Sequence, residues 1–192
     1  MDLVYEISKE ELKDFEVKGY EGEIIIVEDR AEIAAVIDEL RHEDFIGFDT
    51  ESKPQFVKGK PNSMALLQFA GARSVYLIRV NKTGFPPELI RFFNRYPGEF
   101  VGIGLDDDWR EIRKKGIDVQ PKNPVDLNVL AKQKGFISIG AKKLCALLLG
   151  FTISKGQQTS NWETNELSDA QIKYAATDAW ICRDLYLKIS AL

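Results

Sequence analysis

The chain has 192 residues, 44% of them hydrophobic, which is enough to bury one core without disulfide staples. Its 26 basic and 30 acidic residues leave a net charge of −4, which excludes a globally basic nucleic-acid-binding footprint and leaves the decision to local charge. No apolar run approaches the roughly 18 residues of a membrane span. Cys145 and Cys182 lie far apart in apolar helical patterns, and no basic-then-apolar leader opens the sequence, so a reduced, cytoplasmic protein is expected.

Residues 1–22 alternate charged and apolar positions weakly and read as an N-terminal arm, with Ser8 and Glu11 spaced to cap a short helix over 10–15. The remainder, 23–192, reads as a single domain. The run Ile24, Ile25, Ile26 and Val27 predicts a strand, and Asp29 with Glu32 forms a capping box before Ile33, Ile37 and Leu40 at helical spacing. Three strands follow over 45–51, 64–70 and 74–78, the last two joined by a hairpin through Gly71, Ala72 and Arg73. The order then changes to helix 87–94, strand 100–105, helix 107–115, a Pro-flanked strand near 123–127, and helices at 128–134 and 141–148. Residues 151–166 read as a long polar loop, and Ser168 with Gln171 caps a final helix. Antiparallel strands followed by strand–helix units predict an α/β fold: a mixed sheet of five or six strands with helices on both faces.

The chemistry concentrates in carboxylates. In Phe48-Asp49-Thr50-Glu51, strand alternation puts Asp49 and Glu51 on one face and Ile46 and Phe48 on the other. Like charges so close repel unless a cation compensates, so the pair is what a hard-cation site uses, although Asp-x-Glu also arises by chance at strand ends. On the final helix, Tyr174 and Asp178 lie one turn apart beside Ala175, Ala176 and Ala179, whose small side chains permit close approach to the sheet. Taken separately, Tyr174 reads as a packing residue and Asp178 as an ion-pair partner. Between these elements runs Asp106-Asp107-Asp108 at a helix start, where acids favour the positive helix terminus. Asp106 and Asp107 are assigned to capping. Asp108, four residues before Ile112, is the inward candidate, with Asp107 as the alternative.

The ordered set Phe48-Asp49-Thr50-Glu51, then Val101-Gly102-Ile103-Gly104 with Asp108, then Ser160-Asn161-Trp162 leading to Tyr174-Ala175-Ala176-Thr177-Asp178, resembles the DEDD exonucleases, in the branch of ribonuclease D and the Werner-syndrome exonuclease domain. The resemblance runs from about residue 25 to the end. It implies a ribonuclease H-like fold and removal of nucleotides from a 3′ end of DNA or RNA. It also implies Asp49, Glu51, Asp108 and Asp178 as ligands of two divalent ions, Mg²⁺ or Mn²⁺. Its two branches use a His or a Tyr to orient the attacking water. The sole histidine, His42, precedes the Asp-x-Glu strand, and Lys173 stands five before Asp178, which leaves Tyr174. His42 itself reads as an exposed helix end. Met64, Phe69 and Trp162 are candidates for base stacking, and Lys53, Lys58, Lys60, Lys142 and Lys143 for phosphate contacts, each against the blander readings of core packing or a solvated face. Two rival readings keep the fold: a catalytically silent nucleic-acid-binding module and a ribonuclease H-like endonuclease.

Overall fold

A computed structural model of the protein describes residues 5–54 and 63–192. Lys58 and Lys60 lie outside the described residues. The apolar runs form six strands: β1 (Glu23–Val27), β2 (Phe45–Lys53), β3 (Ser63–Ala70), β4 (Ser74–Ile78), β5 (Glu99–Gly102) and β6 (Pro124–Asp126). They make one sheet in the order β1-β4-β3-β2-β5-β6. As the sequence predicts, β2, β3 and β4 are antiparallel and β5 and β6 add parallel to β2, while β1 pairs parallel with β4 at the far edge.

The helices are α1 (Ile33–Leu40), α2 (Val80–Thr83), α3 (Pro87–Arg95), α4 (Leu105–Lys114), α5 (Leu127–Gln133), α6 (Ala141–Leu144) and α7 (Asp169–Ser190). The capping boxes at Asp29/Glu32 and Ser168/Gln171 both form. The arm makes only a 3-10 turn at Glu11–Asp14, held by the reciprocal Ser8–Glu11 hydrogen bonds. After α6 the chain widens into a π turn, Cys145–Leu149, in place of the regular helix predicted over 141–148.

Alternation on β2 divides the core. Ile46 and Phe48 face α1, α3 and α4, where Phe48 stacks on Trp109 with ring centroids 4.5 Å apart and meets Phe69, Phe93 and Phe100. Each such fully buried large side chain contributes about 1.5–3 kcal/mol from burial. This cluster absorbs Phe69 and Met64, both buried at 2% exposure or less, so neither is available to stack on a base. Their alternating apolar neighbours made them part of a two-sided buried strand rather than a rim.

The opposite face of β2 receives α7. Ala175, Ala176 and Ala179 are fully buried there, and the backbone meets Gly47 so closely that a Cβ at Gly47 would sit 2.2 Å from the Ala179 carbonyl oxygen. Gly47→Ala is therefore expected to cost about 2 kcal/mol or more, since neither backbone can yield. A fall in Tm of at least ~4 °C by thermal denaturation checks this; an unchanged Tm means that α7 does not rest on Gly47.

Two boundaries shift for one reason. β5 ends at Gly102 and α4 begins at Leu105, with Gly104 in the left-handed region at φ 82°. The capping role expected of Asp106 and Asp107 belongs to Asp126 of β6. One of its carboxylate oxygens accepts from the Gly104 and Leu105 N–H groups and the other from Asn128 and Val129, so one side chain serves the starts of both α4 and α5. Asp107 instead points outward and pairs with Arg110.

Candidate active site

Two chain segments, β2 and α7, converge at the end of β2. Asp49 and Glu51 come from its α7-facing side, and Asp178 comes from α7, one turn after Tyr174. One carboxylate oxygen from each of Asp49, Glu51 and Asp178 lies within 4.8 Å of the other two. The close approach at Gly47 sets this distance. A register slip between Glu51 and Ser52, with Glu51 opposite Leu66 and Ser52 opposite Met64, bends the strand just past the second acid.

Asp108 is the inward member of its run, since Asp107 is exposed. It is not one of the three clustered acids: its Oδ1 accepts from the Thr50 hydroxyl, and it stands beside Asp49 at the edge of the group. Thr50 faces α4 because strand alternation sends it to the side opposite Asp49, and this draws Asp108 toward the strand.

Burial dominates the electrostatics. It raises the Glu51 carboxyl to about 10, helped by Asp49, Asp178 and Asp108. Burial and then Asp49 raise Asp108 to about 8, against the Thr50 hydrogen bond. Asp178 is raised by burial to about 7, with the Tyr174 hydroxyl and Lys155 partly offsetting the effect. Asp49 is pushed well up by burial and by Asp178. The Tyr174 phenol, hydrogen-bonded to Asp178, is held above its ordinary value by burial and by the negative charges of Asp178 and Glu51.

A divalent cation fits this donor set. The oxygens are hard, they converge, and their mutual repulsion is relieved only in part by Lys155. Gln68, directly opposite Asp49 on β3, adds a fully buried amide that has no hydrogen-bond partner among the described residues.

A pH dependence follows for the metal-free protein. Carboxyls with folded-state values raised above the unfolded value near 4 hold protons that the unfolded chain releases, so the stability they contribute is present below about pH 4 and is lost as pH rises through 7 and 8. Each tenfold suppression of ionisation corresponds to between about 1 and 2 kcal/mol, and each kcal/mol to about 2–4 °C of Tm. Tm in chelator is expected to fall by several degrees between pH 5.5 and 8.5, and Mn²⁺ to remove most of that decline. A flat profile in chelator would mean that these acids are not charge-strained.

The cleft above the cluster, about 310 Å³, is lined by the three acids and Tyr174, and also by Lys155 and Gln158 from the loop before α7. Neither was singled out from sequence, because a lysine or glutamine in a polar loop carries no periodic signal. The loop is held by Gln171, whose amide donates to Ser160 Oγ and the Asn161 carbonyl, and by the fully buried Arg79, which donates to the Thr164 and Asn165 carbonyls and pairs with Glu28 at 2.7 Å.

Trp162 is fully buried against Tyr174, with centroids 6.0 Å apart, so it supports the phenol from behind and is not a stacking surface. Lys53 pairs with Glu163 at 3.1 Å near the rim. Lys142 and Lys143 line a neighbouring groove. His42 is exposed and accepts a hydrogen bond from Arg41, as its place at the end of α1 predicts. Lys173 is also exposed, 3.6 Å from Glu21. Both thiols are buried, which pushes Cys145 up to about 12 and Cys182 well above its ordinary value. Among the described residues, no helix is long and apolar enough to cross a membrane.

Residues 24–192 match the family model described as 3′-5′ exonuclease. The chain is 30% identical over 156 residues to the mouse bifunctional 3′-5′ exonuclease/ATP-dependent helicase WRN, an alignment that covers 78% of this chain and 11% of that protein. Other curated relatives are also much longer, and the chain spans 41% and 27% of two of them. Among solved structures, the Aedes aegypti Nibbler EXO domain superposes with a TM-score of 0.82 at 24% identity, covering 91% of this chain and 92% of that one. The Trypanosoma brucei RNase D complex with RNA U12 gives 0.79 at 16% identity, over 90% and 64%. With the acids ordered along the sequence as in that resemblance and the sheet and helices arranged alike, the chain belongs to the 3′-5′ exonuclease family of the DEDD superfamily, alongside ribonuclease D and the Werner exonuclease.

Proposed function

We propose that this chain removes nucleotides one at a time from the 3′ end of DNA or RNA by divalent-metal-dependent hydrolysis of the phosphodiester bond. The observation that carries the reading is the meeting of Asp49, Glu51 and Asp178 within 4.8 Å in an open cleft, with Tyr174 hydrogen-bonded to Asp178. Asp49, Glu51 and Asp178 would hold two Mg²⁺ or Mn²⁺ ions, and Asp108, released from Thr50, would complete the set. Such ions would supply activation of water and neutralisation of charge on the scissile phosphate and the leaving 3′ oxygen.

The remaining work falls to side chains. Because its proton is held well above the ordinary phenol range and is donated to Asp178, Tyr174 orients the attacking water through its phenol oxygen, as an acceptor, and not as a free base. Lys155 brings positive charge to the side of the cleft where the phosphate would lie. The T. brucei RNase D complex with RNA supports a nucleic-acid strand as the ligand class.

The test is a panel of 5′-labelled single-stranded DNA, recessed duplex and single-stranded RNA, with Mg²⁺, Mn²⁺ or chelator. Stepwise shortening that chelator abolishes, with circular and 3′-blocked molecules left intact, is the expected result. Internal cuts on circular substrate would replace the reading with an endonuclease. Binding without any shortening would replace it with a silent module.

A further inference from the structure

The chain is acidic overall, yet beside the carboxylate cleft lies a groove of about 560 Å³ lined by five lysines and no acid: Lys9, Lys13, Lys142, Lys143 and Lys155. None of the five forms an ion pair among the described residues. The groove shares Gly140, Ala141 and Lys155 with the cleft, so the two run into one another. Leu12 and Phe15, both half-buried, give the same wall an apolar surface between the charges.

One wall of this groove is the N-terminal arm, which precedes the region matched by the family model. The arm is built onto the body. The Tyr5 carbonyl accepts from the Ile137 and Ser138 N–H groups, and the Ile7 backbone exchanges hydrogen bonds with the Ser138 hydroxyl. Further along, Val17 bridges Thr152, and the Tyr20 N–H donates to Thr177 on α7. Tyr5 also packs edge-on against Phe136 at 5.0 Å. Lys9 and Lys13 are therefore held at fixed positions facing Lys142 and Lys143 on α6.

Four lysines without an ion-pair partner, continued by Lys155 beside the acids of the cleft, concentrate positive charge along the groove, and a polyanion laid there gains affinity by releasing counterions. With the 3′-terminal nucleotide over the carboxylates, the backbone leaving the cleft on the Lys155 side enters the groove. There Leu12 and Phe15 offer a surface to bases. We infer that the N-terminal arm and α6 form a binding track for the nucleotides upstream of the 3′ end of a single strand, with Lys9 and Lys13 contacting its phosphates. This rests on the exonuclease reading for the strand's direction, but not for its binding.

The test is fluorescence anisotropy in chelator with 5′-fluorescein dT12, U12 and dT2. It uses the full chain, Lys9→Gln/Lys13→Gln, and Lys114→Gln/Lys115→Gln as a control of equal charge change at the far end of α4. The arm lysines are exposed, and Tm reports that all three proteins are folded. The arm variant is expected to bind at least one of the two 12-mers at least fivefold more weakly than the control. Loss of two phosphate contacts should also reduce its salt slope by about 1.4, while dT2 affinity differs less than twofold between the variants. Dissociation constants for both 12-mers within twofold of the control, or no preference of the wild type for 12-mer over dT2, would overturn the inference. Shortening of the same oligonucleotides in Mn²⁺ is followed in parallel on the wild type. Lysine-dependent binding without shortening would sink the exonuclease reading and leave the track standing.

Discussion

Asp49→Asn should lower the rate of 3′-end shortening on the order of 10³-fold or more while raising the thermal stability of the metal-free protein. Both effects come from the same charge. Asp49 is the central acid: it lies in the cluster with Glu51 and Asp178, and its charge raises both Glu51 and Asp108. Burial and Asp178 together disfavour its ionised form, so the charge is held in place at a cost to folding. Asparagine keeps the shape and the hydrogen bond from the Thr50 N–H at 2.9 Å but removes the charge a cation would need. In chelator at pH 8 the variant should therefore melt higher than wild type, and the Mn²⁺-dependent rise in Tm should shrink, since ligand binding to the folded state alone is what stabilises it. Activity within tenfold of wild type would remove Asp49 from the centre of the chemistry. An unchanged or lower Tm in chelator would mean that its charge is not strained.

Tyr174→Phe is the second large effect, about a 10²-fold fall in turnover with the Mn²⁺-dependent Tm shift retained, as for loss of one positioned proton-handling group. The substitution leaves the ring that packs on Trp162, so the supporting contact at 6.0 Å survives and only the hydroxyl is lost. That hydroxyl donates to Asp178, and without it Asp178 should hold its proton more tightly. The variant's rate at low pH should accordingly suffer more than its rate at high pH. A rate equal to wild type across pH would show that the phenol neither orients water nor tunes Asp178. A lost Mn²⁺ response would instead assign it to the architecture of the metal site.

The sequence on its own determined what depends on near neighbours. Period-two alternation put Asp49 and Glu51 on one strand face. Period-3.6 spacing put Tyr174 and Asp178 on one side of a helix beside three alanines, and the Ser168–Gln171 and Asp29–Glu32 boxes marked helix starts. These are consequences of backbone geometry over a few residues, so they survive without knowledge of the rest of the chain.

Tertiary packing decided everything that links distant segments. Which of Asp106, Asp107 and Asp108 turns inward depended on Thr50, 58 residues away, and the helix start was capped by Asp126 from the neighbouring strand. Met64, Phe69 and Trp162, which the sequence leaves between base stacking and core packing, fill space between layers that no local pattern describes. Lys155 and Gln158 entered the cleft, and Lys9 and Lys13 faced α6, because a fixed loop and a docked arm carried them there. Periodicity gives the direction of a side chain relative to its own element, whereas only the packing of elements against one another fixes what that side chain meets.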